Sequence, residues 1–227
     1  MTTVADRDWF NDPSLKTVLG LLNDDGGEAR IAGGAVRNSL MGLPVADIDI
    51  ATTLTPDVVV TRAEAAGIKA VPTGIAHGTV TLVVDGKPFE VTTLRRDVAT
   101  DGRRAEVAFG ADWQTDAERR DLTINALYAQ QDGTVVDLVG GLADIESRTI
   151  RFIGDAAARI AEDHLRILRF FRFFAYYGSG RSFPSRGPTC WQPALLPVRR
   201  SESCWLNWKR TGWTPILART GQACLPG

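Results

Sequence analysis

Two aspartates one residue apart, in Asp47-Ile48-Asp49-Ile50, lie shortly after a glycine pair in Ile31-Ala32-Gly33-Gly34-Ala35-Val36-Arg37. Residues 45–51 alternate polar and apolar, the period of a half-buried strand. On a strand, positions i and i+2 share a face, so Asp47 and Asp49 are expected to project together while Ile48 and Ile50 turn into a core. Carboxylates held side by side repel unless a cation lies between them, and a hard divalent ion with oxygen ligands, Mg²⁺ above all, suits them. The plain alternative is an exposed strand face that carries two acids. Gly33-Gly34, between an apolar strand at 29–32 and a helix at 35–41, lets backbone approach a ligand and suits a phosphate at the helix start. Arg37, one turn in, adds a charged fork. An ordinary strand-to-helix turn would also need glycine. Taken together, a phosphate cradle and a two-acid metal site read as a nucleoside-triphosphate site.

Those residues need a scaffold, and the chain spells one out. Residues 13–23 form an amphipathic helix capped by Asp12, with Leu15, Val18, Leu19 and Leu22 on one face. Thr55-Pro56 opens a second helix that ends at Gly67. Residues 78–84 and 87–94 flank Asp85-Gly86, a strong hairpin signal. The second of these strands places Glu90 opposite Phe89 and Val91, where it is either a third acid near the metal or a solvated strand residue. His77 reads as a turn residue, since Mg²⁺ prefers oxygen. Residues 97–112, polar and arginine-rich, read as a mobile loop over the site. A helix is expected from Arg119-Arg120-Asp121 through residue 128, a strand at 134–137, a turn at Gly140-Gly141 and a short helix at 144–148.

Residues 155–177 read as one long helix, nearly all apolar after Leu165 and therefore buried on most sides. Its arginines, Arg166, Arg169 and Arg172, then need partners. Asp163 and Arg166 share a face and offer one acceptor and a fork of donors. That pair fits the Watson–Crick edge of cytosine or adenine, the acid taking the exocyclic amine and the arginine donating to the ring nitrogen. A structural ion pair is the alternative.

The motif set resembles the class II nucleotidyltransferases of the polymerase β superfamily, the tRNA CCA-adding enzymes and bacterial poly(A) polymerases. The resemblance rests on Gly33-Gly34-Ala35-Val36-Arg37 with Asp47-Ile48-Asp49, and on Arg119-Arg120-Asp121-Leu122-Thr123-Ile124-Asn125-Ala126. It continues through Asp137-Leu138-Val139-Gly140-Gly141 with Asp144, and Glu162-Asp163-His164-Leu165-Arg166-Ile167-Leu168-Arg169. It covers roughly residues 10–177; Asn38 stands where many members carry Asp. It implies an α/β (α+β) fold: a head domain over 1–150 with a small mixed sheet and flanking helices, then the start of a helical neck at 151–177. It also implies that Asp47 and Asp49, with Glu90, serve two Mg²⁺ ions. Gly33, Gly34, Arg37 and Arg120 would position the triphosphate, with Arg120 on triphosphate or ribose and Asp121 holding local structure. Asp163, Arg166, Arg169 and Arg172 would select and orient the base. The implied reaction is attack by an RNA 3′-hydroxyl, that of a tRNA, on the α-phosphate of CTP or ATP. Poly(A) polymerisation and a nucleotide-binding fragment without turnover are the alternatives.

Composition is compatible with this. The 44% hydrophobic content suits a globular protein, and no apolar run approaches the ~20 residues of a membrane span. The first residues lack the basic and apolar regions of a signal peptide. Three cysteines with no pairing pattern suit a reducing cytoplasm. The formal charge of −1 divides unevenly, −7 over residues 1–177 against +6 over 178–227. Any RNA grip in the acidic part must therefore come from local arginine patches. Residues 178–227 hold all three cysteines, four of six tryptophans, six of eleven prolines and one acid, Glu202. No helical or strand period survives there, so the stretch reads as an atypical, disordered tail foreign to the family, such as a frameshift produces. A basic, Trp-rich RNA-binding arm is the alternative.

Overall fold

The computed structural model describes residues 1–101, 104–110 and 112–179. Helix α1 (Pro13–Asn23) starts where Asp12 accepts the Ser14 amide at 2.9 Å and proline fills a first-turn position that needs no amide. Leu15, Val18, Leu19 and Leu22 are buried on one face, as expected. Strand β1 (Ala29–Ala32) runs into α2 (Gly34–Leu40), followed by β2 (Asp49–Thr52) and α3 (Pro56–Ala65). Strands β3 (Lys69–Gly74), β4 (Thr79–Val84) and β5 (Lys87–Thr93) come next. Asp85 and Gly86 turn the β4–β5 hairpin with φ of 50° and 76°, the left-handed values a two-residue turn requires.

With β8 (Leu127–Ala129) and β9 (Val135–Asp137) these strands form a seven-stranded sheet in the order β3-β4-β5-β2-β1-β8-β9. β2 and β5 run parallel and the other neighbours antiparallel, which makes the sheet mixed, with helices flanking it. Strand alternation feeds two cores. Ile31, Ile50, Val80, Leu82 and Val91 pack with α1 and α3 residues. Ala32, Ala51 and Tyr128 pack on Ala117, Leu94 and Ile153.

Four sequence expectations need correction. The 45–51 strand starts later, at Asp49, so Asp47 lies in the extended approach to it. Pro44 in that approach has no amide for a ladder. The expected loop at 97–112 contains a two-stranded antiparallel ribbon, β6 (Arg95–Asp101) and β7 (Arg104–Phe109); its polar, arginine-rich composition gives little strand signal. The expected helix at 119–128 is absent: α4 (Trp113–Glu118) ends before the arginines, and a 3-10 turn at Thr123–Asn125 leads into β8. Leu122, Ile124, Ala126, Leu127, Tyr128 and Ala129 are all fully buried, the all-round apolarity of a central strand and its approach rather than of a one-faced helix.

The fourth concerns the end of the described chain. After α5 (Gly141–Glu146), the long helix expected at 155–177 is two: α6 (Ala156–Glu162) and α7 (Leu165–Tyr177). Asp163 breaks the run with extended angles, φ −152° and ψ 109°, and its carboxylate accepts the Leu165 amide at 2.9 Å. Nor is α7 buried on most sides. Phe170 and Phe173 pack on Leu122, Ile124 and Ile150, whereas Leu168 and Phe171 are exposed. The tail expectation for 178–227 falls almost wholly outside the described residues.

Candidate active site

Ala32 pairs with Asp49 across β1–β2, and Asp49 pairs with Glu90 across β2–β5. The glycine turn after β1 and Asp49 at the start of β2 thus lie next to each other, and Glu90, midway along β5, is the neighbour of Asp49 on its other side. Parallel partners in register share a face, so Glu90 projects from the same side of the sheet as Asp49. Asp47 precedes the strand, yet its charge reaches Asp49. The protein packed behind Asp49 pushes its carboxyl up, Arg120 opposes that, and Asp47 adds to it. Asp49 is nonetheless solvent-exposed. Among the described residues, no three His, Cys, Asp or Glu side chains close into a metal-binding group.

Gly33 has φ 65° and ψ −110°, angles that exclude most side chains. A Cβ there would lie 3.2 Å from the Asn125 carbonyl and 3.5 Å from Nη1 of Arg120. Its amide donates to the Leu127 carbonyl at 2.8 Å, so Gly33 contributes close approach and not the free donor expected of it. Arg37 also departs from expectation. It is buried, with Nε and Nη2 donating to Asn38 Oδ1 at 3.1 and 2.9 Å, Nη1 donating to Asn125 Oδ1, and Nη2 donating to the Tyr177 hydroxyl at 3.1 Å. Its guanidinium also lies 4.5 Å from the Tyr177 ring. Burial pushes Arg37 below its usual value. Its fork is therefore engaged with Asn38 of α2 itself, with Asn125 in the turn before β8 and, through Nη2, with Tyr177 of α7.

One cleft of about 400 Å³ gathers Gly33, Gly34, Arg37, Asp49, Arg120, Asp163, Arg166, Arg169 and Arg172. Of the expected site residues, Asp47 and Glu90 lie outside its lining. Asp163, at the helix break, and Arg166, Arg169 and Arg172 of α7 line it, whereas no residue of α6 does. Arg166 pairs with Glu162, Nη1 to Oε2 at 2.6 Å, rather than with Asp163, and the same nitrogen reaches the Arg159 carbonyl at 3.3 Å. Among the described residues no acceptor engages its Nε or Nη2. Arg169 donates to Asp121 Oδ2 at 2.6 Å. Asp121 also takes the Leu122 amide and Asn125 Nδ2, the local structural role expected of it. Burial raises the Asp121 carboxyl, but Arg169 and these donors more than offset that and hold it below the ordinary value. Arg172 lies 5.3 Å from the Phe173 ring, with no carboxylate partner among the described residues.

The Asp137 motif is structural. Its Oδ1 accepts the amides of Val139, Gly140 and Gly141, and Oδ2 that of Leu142, which fixes the start of α5. Buried Asp144 accepts from Thr123 Oγ1 at 2.6 Å and pairs with Arg151. His77 lies in a 3-10 turn, its carbonyl accepting from Arg95. Sequence reasoning missed Arg119, Asn125 and Phe173 in the cleft wall, and Asp116 behind it. A signal existed for Asp116, an acid three and four residues before two arginines.

The poly A polymerase head domain family matches residues 29–151, a span that holds the glycine turn, both aspartates, Glu90 and Arg120. The chain is 51% identical over 161 residues to the mitochondrial CCA tRNA nucleotidyltransferase 1 of Mus musculus, covering 70% of this chain and 37% of that protein. It is 43% identical over 228 residues to the CCA-adding enzyme of Geobacillus thermodenitrificans, covering 95% of this chain and 55% of the relative. Among solved structures, the Bacillus stearothermophilus CCA-adding enzyme in complex with CTP superposes with a TM-score of 0.64 at 37% identity, over 71% of this chain and 38% of that one. A tRNA nucleotidyltransferase complexed with a primer tRNA and an incoming ATP analog gives 0.57 at 30%, over 69% and 44%. The chain thus spans between about a third and a little over half of the length of these relatives. With more than half of its residues matched, and the matched span building the acid-bearing strand ends and much of the cleft wall, the chain belongs to the poly A polymerase head domain family.

Proposed function

We propose that this chain carries the catalytic head of a template-independent RNA nucleotidyltransferase that adds CMP and AMP, from CTP and ATP, to the 3′ end of tRNA. The observation that carries the reading is the single cleft. It brings Asp49, the glycine pair and arginines from three separate stretches of chain to one place, as a nucleoside triphosphate with one metal-bound and one base-recognising end requires. The relatives' names, and the CTP, ATP analog and primer tRNA in the solved neighbours, support the choice of nucleotide and RNA.

Asp47 and Asp49 would hold Mg²⁺, with Glu90 beside them. The donor set fits, being hard carboxylate oxygen on two aspartates whose charges reach each other. Two protein carboxylates, completed by substrate phosphates and water, is the usual way this ion is bound. Bound there, two Mg²⁺ ions would supply a lowered pKa for the attacking 3′-hydroxyl and charge neutralisation for the departing pyrophosphate. Gly33 and Gly34 leave room for the polyphosphate, and Arg120 meets it, with Arg37 holding α2 in place. Asp163 and the unengaged Nε and Nη2 of Arg166 read the base edge, while Arg169 and Arg172 line the path to it. No helix among the described residues is long and apolar enough to cross a membrane. A reducing cytoplasmic setting is part of the proposal, although relatives named mitochondrial exist.

The test is incorporation of labelled CMP into a tRNA lacking its 3′ end, with Mg²⁺ and with a chelator. Asp47→Ala and Asp49→Ala are each expected to lower incorporation by at least ~10²-fold with an unchanged circular dichroism spectrum. Near-full activity of either variant in saturating Mg²⁺ would remove that aspartate from the site.

A further inference from the structure

Asp116 does not line the cleft, yet two of the cleft's arginines are held by it. Its Oδ1 accepts from Nε and Nη2 of Arg119 at 2.8 and 2.6 Å. Its Oδ2 accepts from Nη2 and Nε of Arg120 at 3.0 and 3.3 Å and from the Tyr128 hydroxyl at 2.7 Å. The carboxylate is 1% exposed, so no water competes for these bonds. Burial by itself would raise it, but Arg120 and Arg119 more than reverse that and keep it ionised. One negative charge thus faces two positive ones, and the surplus positive charge remains on guanidiniums that border the cleft. Tyr128, buried in the central part of the sheet, ties the carboxylate to the scaffold.

The positions of the two guanidiniums follow from this anchor. Arg120 reaches across to the Asn125 carbonyl at 3.4 Å, and its Nη1 lies just beyond where a Gly33 side chain would begin. It therefore borders the glycine turn of the cleft, and its charge is felt by Asp49. A free arginine has many rotamers, and fixing them before a ligand arrives removes part of the entropy that binding otherwise loses. We propose that Asp116 is a positioning residue that sets Arg119 and Arg120 against the cleft to receive the polyphosphate of a nucleoside triphosphate. This rests on the nucleotide reading of the cleft given above. The other role such a network can play, tying α4 to β8, makes no distinction between ligands with one phosphate and with three.

That difference supplies the test. Equilibrium binding of CTP and of CMP is measured with Mg²⁺ on the full chain and on Asp116→Asn, together with thermal melting. Loss of charge-assisted anchoring is expected to weaken CTP by about ten-fold and CMP by less than about three-fold, so that the CTP/CMP preference collapses. A preference equal to that of the unaltered chain, whatever the melting temperature does, would overturn the proposal and leave the nucleotide reading standing. An unaltered chain that does not prefer CTP to CMP would overturn both. Should Asp116→Asn fail to fold, Tyr128→Phe decides, since it keeps the buried ring and removes only the hydrogen bond to Oδ2. A fall in the preference of about two- to four-fold is expected there, and no fall would overturn the proposal.

Discussion

Arg166 separates two roles that a sequence leaves entangled. Its pairing with Glu162 through Nη1 is an ordinary helix-surface contact that secures the α6–α7 junction. The rest of its fork faces the cleft beside Asp163. If that fork reads the base, Arg166→Ala should weaken CTP and ATP by about 1.5–3 kcal/mol, the worth of a charged hydrogen bond, and leave GTP and UTP little changed. Four equal losses in a binding titration would assign Arg166 to the triphosphate or to the fold. Gly33 poses a backbone question instead. Gly33→Ala places a Cβ 3.2 Å from the Asn125 carbonyl at a positive φ. The expected cost is about 1–3 kcal/mol in urea unfolding, accompanied by weaker CTP binding, because Asn125 and Arg120 are the groups that must move. An alanine variant as stable as the parent would mean that the turn relaxes without strain.

At the scale of elements, α7 is held to the head by two polar ties, Arg169 to Asp121 and Arg37 to Tyr177, over an aromatic contact built on Phe170 and Phe173. The first tie has a pH signature. Asp121 is held below its ordinary value in the folded state, so its contribution is complete above the unfolded carboxylate value of about 3.9 and is lost as pH falls through the lower folded value. The stability gap between the unaltered chain and Asp121→Asn should stay constant above about pH 5 and narrow steadily below about pH 4. A gap independent of pH in a series of urea midpoints would show that the ion pair contributes nothing.

Legibility also divides at this scale. α1, β1, the Asp85-Gly86 hairpin and the start of α3 follow their caps, prolines and periods, because those signals are local. The stretch around Leu122–Ala129 misled because an apolar run has no period to read, and its strand character comes from burial on both faces by elements distant in sequence. The α6–α7 break was hidden for another reason. Asp163 continues a good helical pattern and interrupts it only through the cap its own side chain forms. Among site residues, the glycines and Asp49 were readable from spacing. The partners of Arg37, namely Asn38, Asn125 and Tyr177, were not, since Asn125 and Tyr177 come from elsewhere in the chain.

For the molecule as a whole, the arginines of the cleft arrive from α2, from the turn after α4 and from α7, and they converge on a strand end carrying acids. Under the proposed function, the arginines meet the phosphates, the aspartates hold the metal and the α7 end reads the base. The central claim is the order of nucleotide addition, tested most directly on a tRNA that ends before its terminal CCA. The chain is incubated with CTP alone, ATP alone and both, and the products are resolved at single-nucleotide length. The account predicts two additions with CTP alone, none with ATP alone on that primer, and three with both. A ladder of many additions with ATP alone would contradict it in favour of poly(A) synthesis. No addition under any condition, alongside normal CTP binding, would contradict it in favour of a nucleotide-binding module.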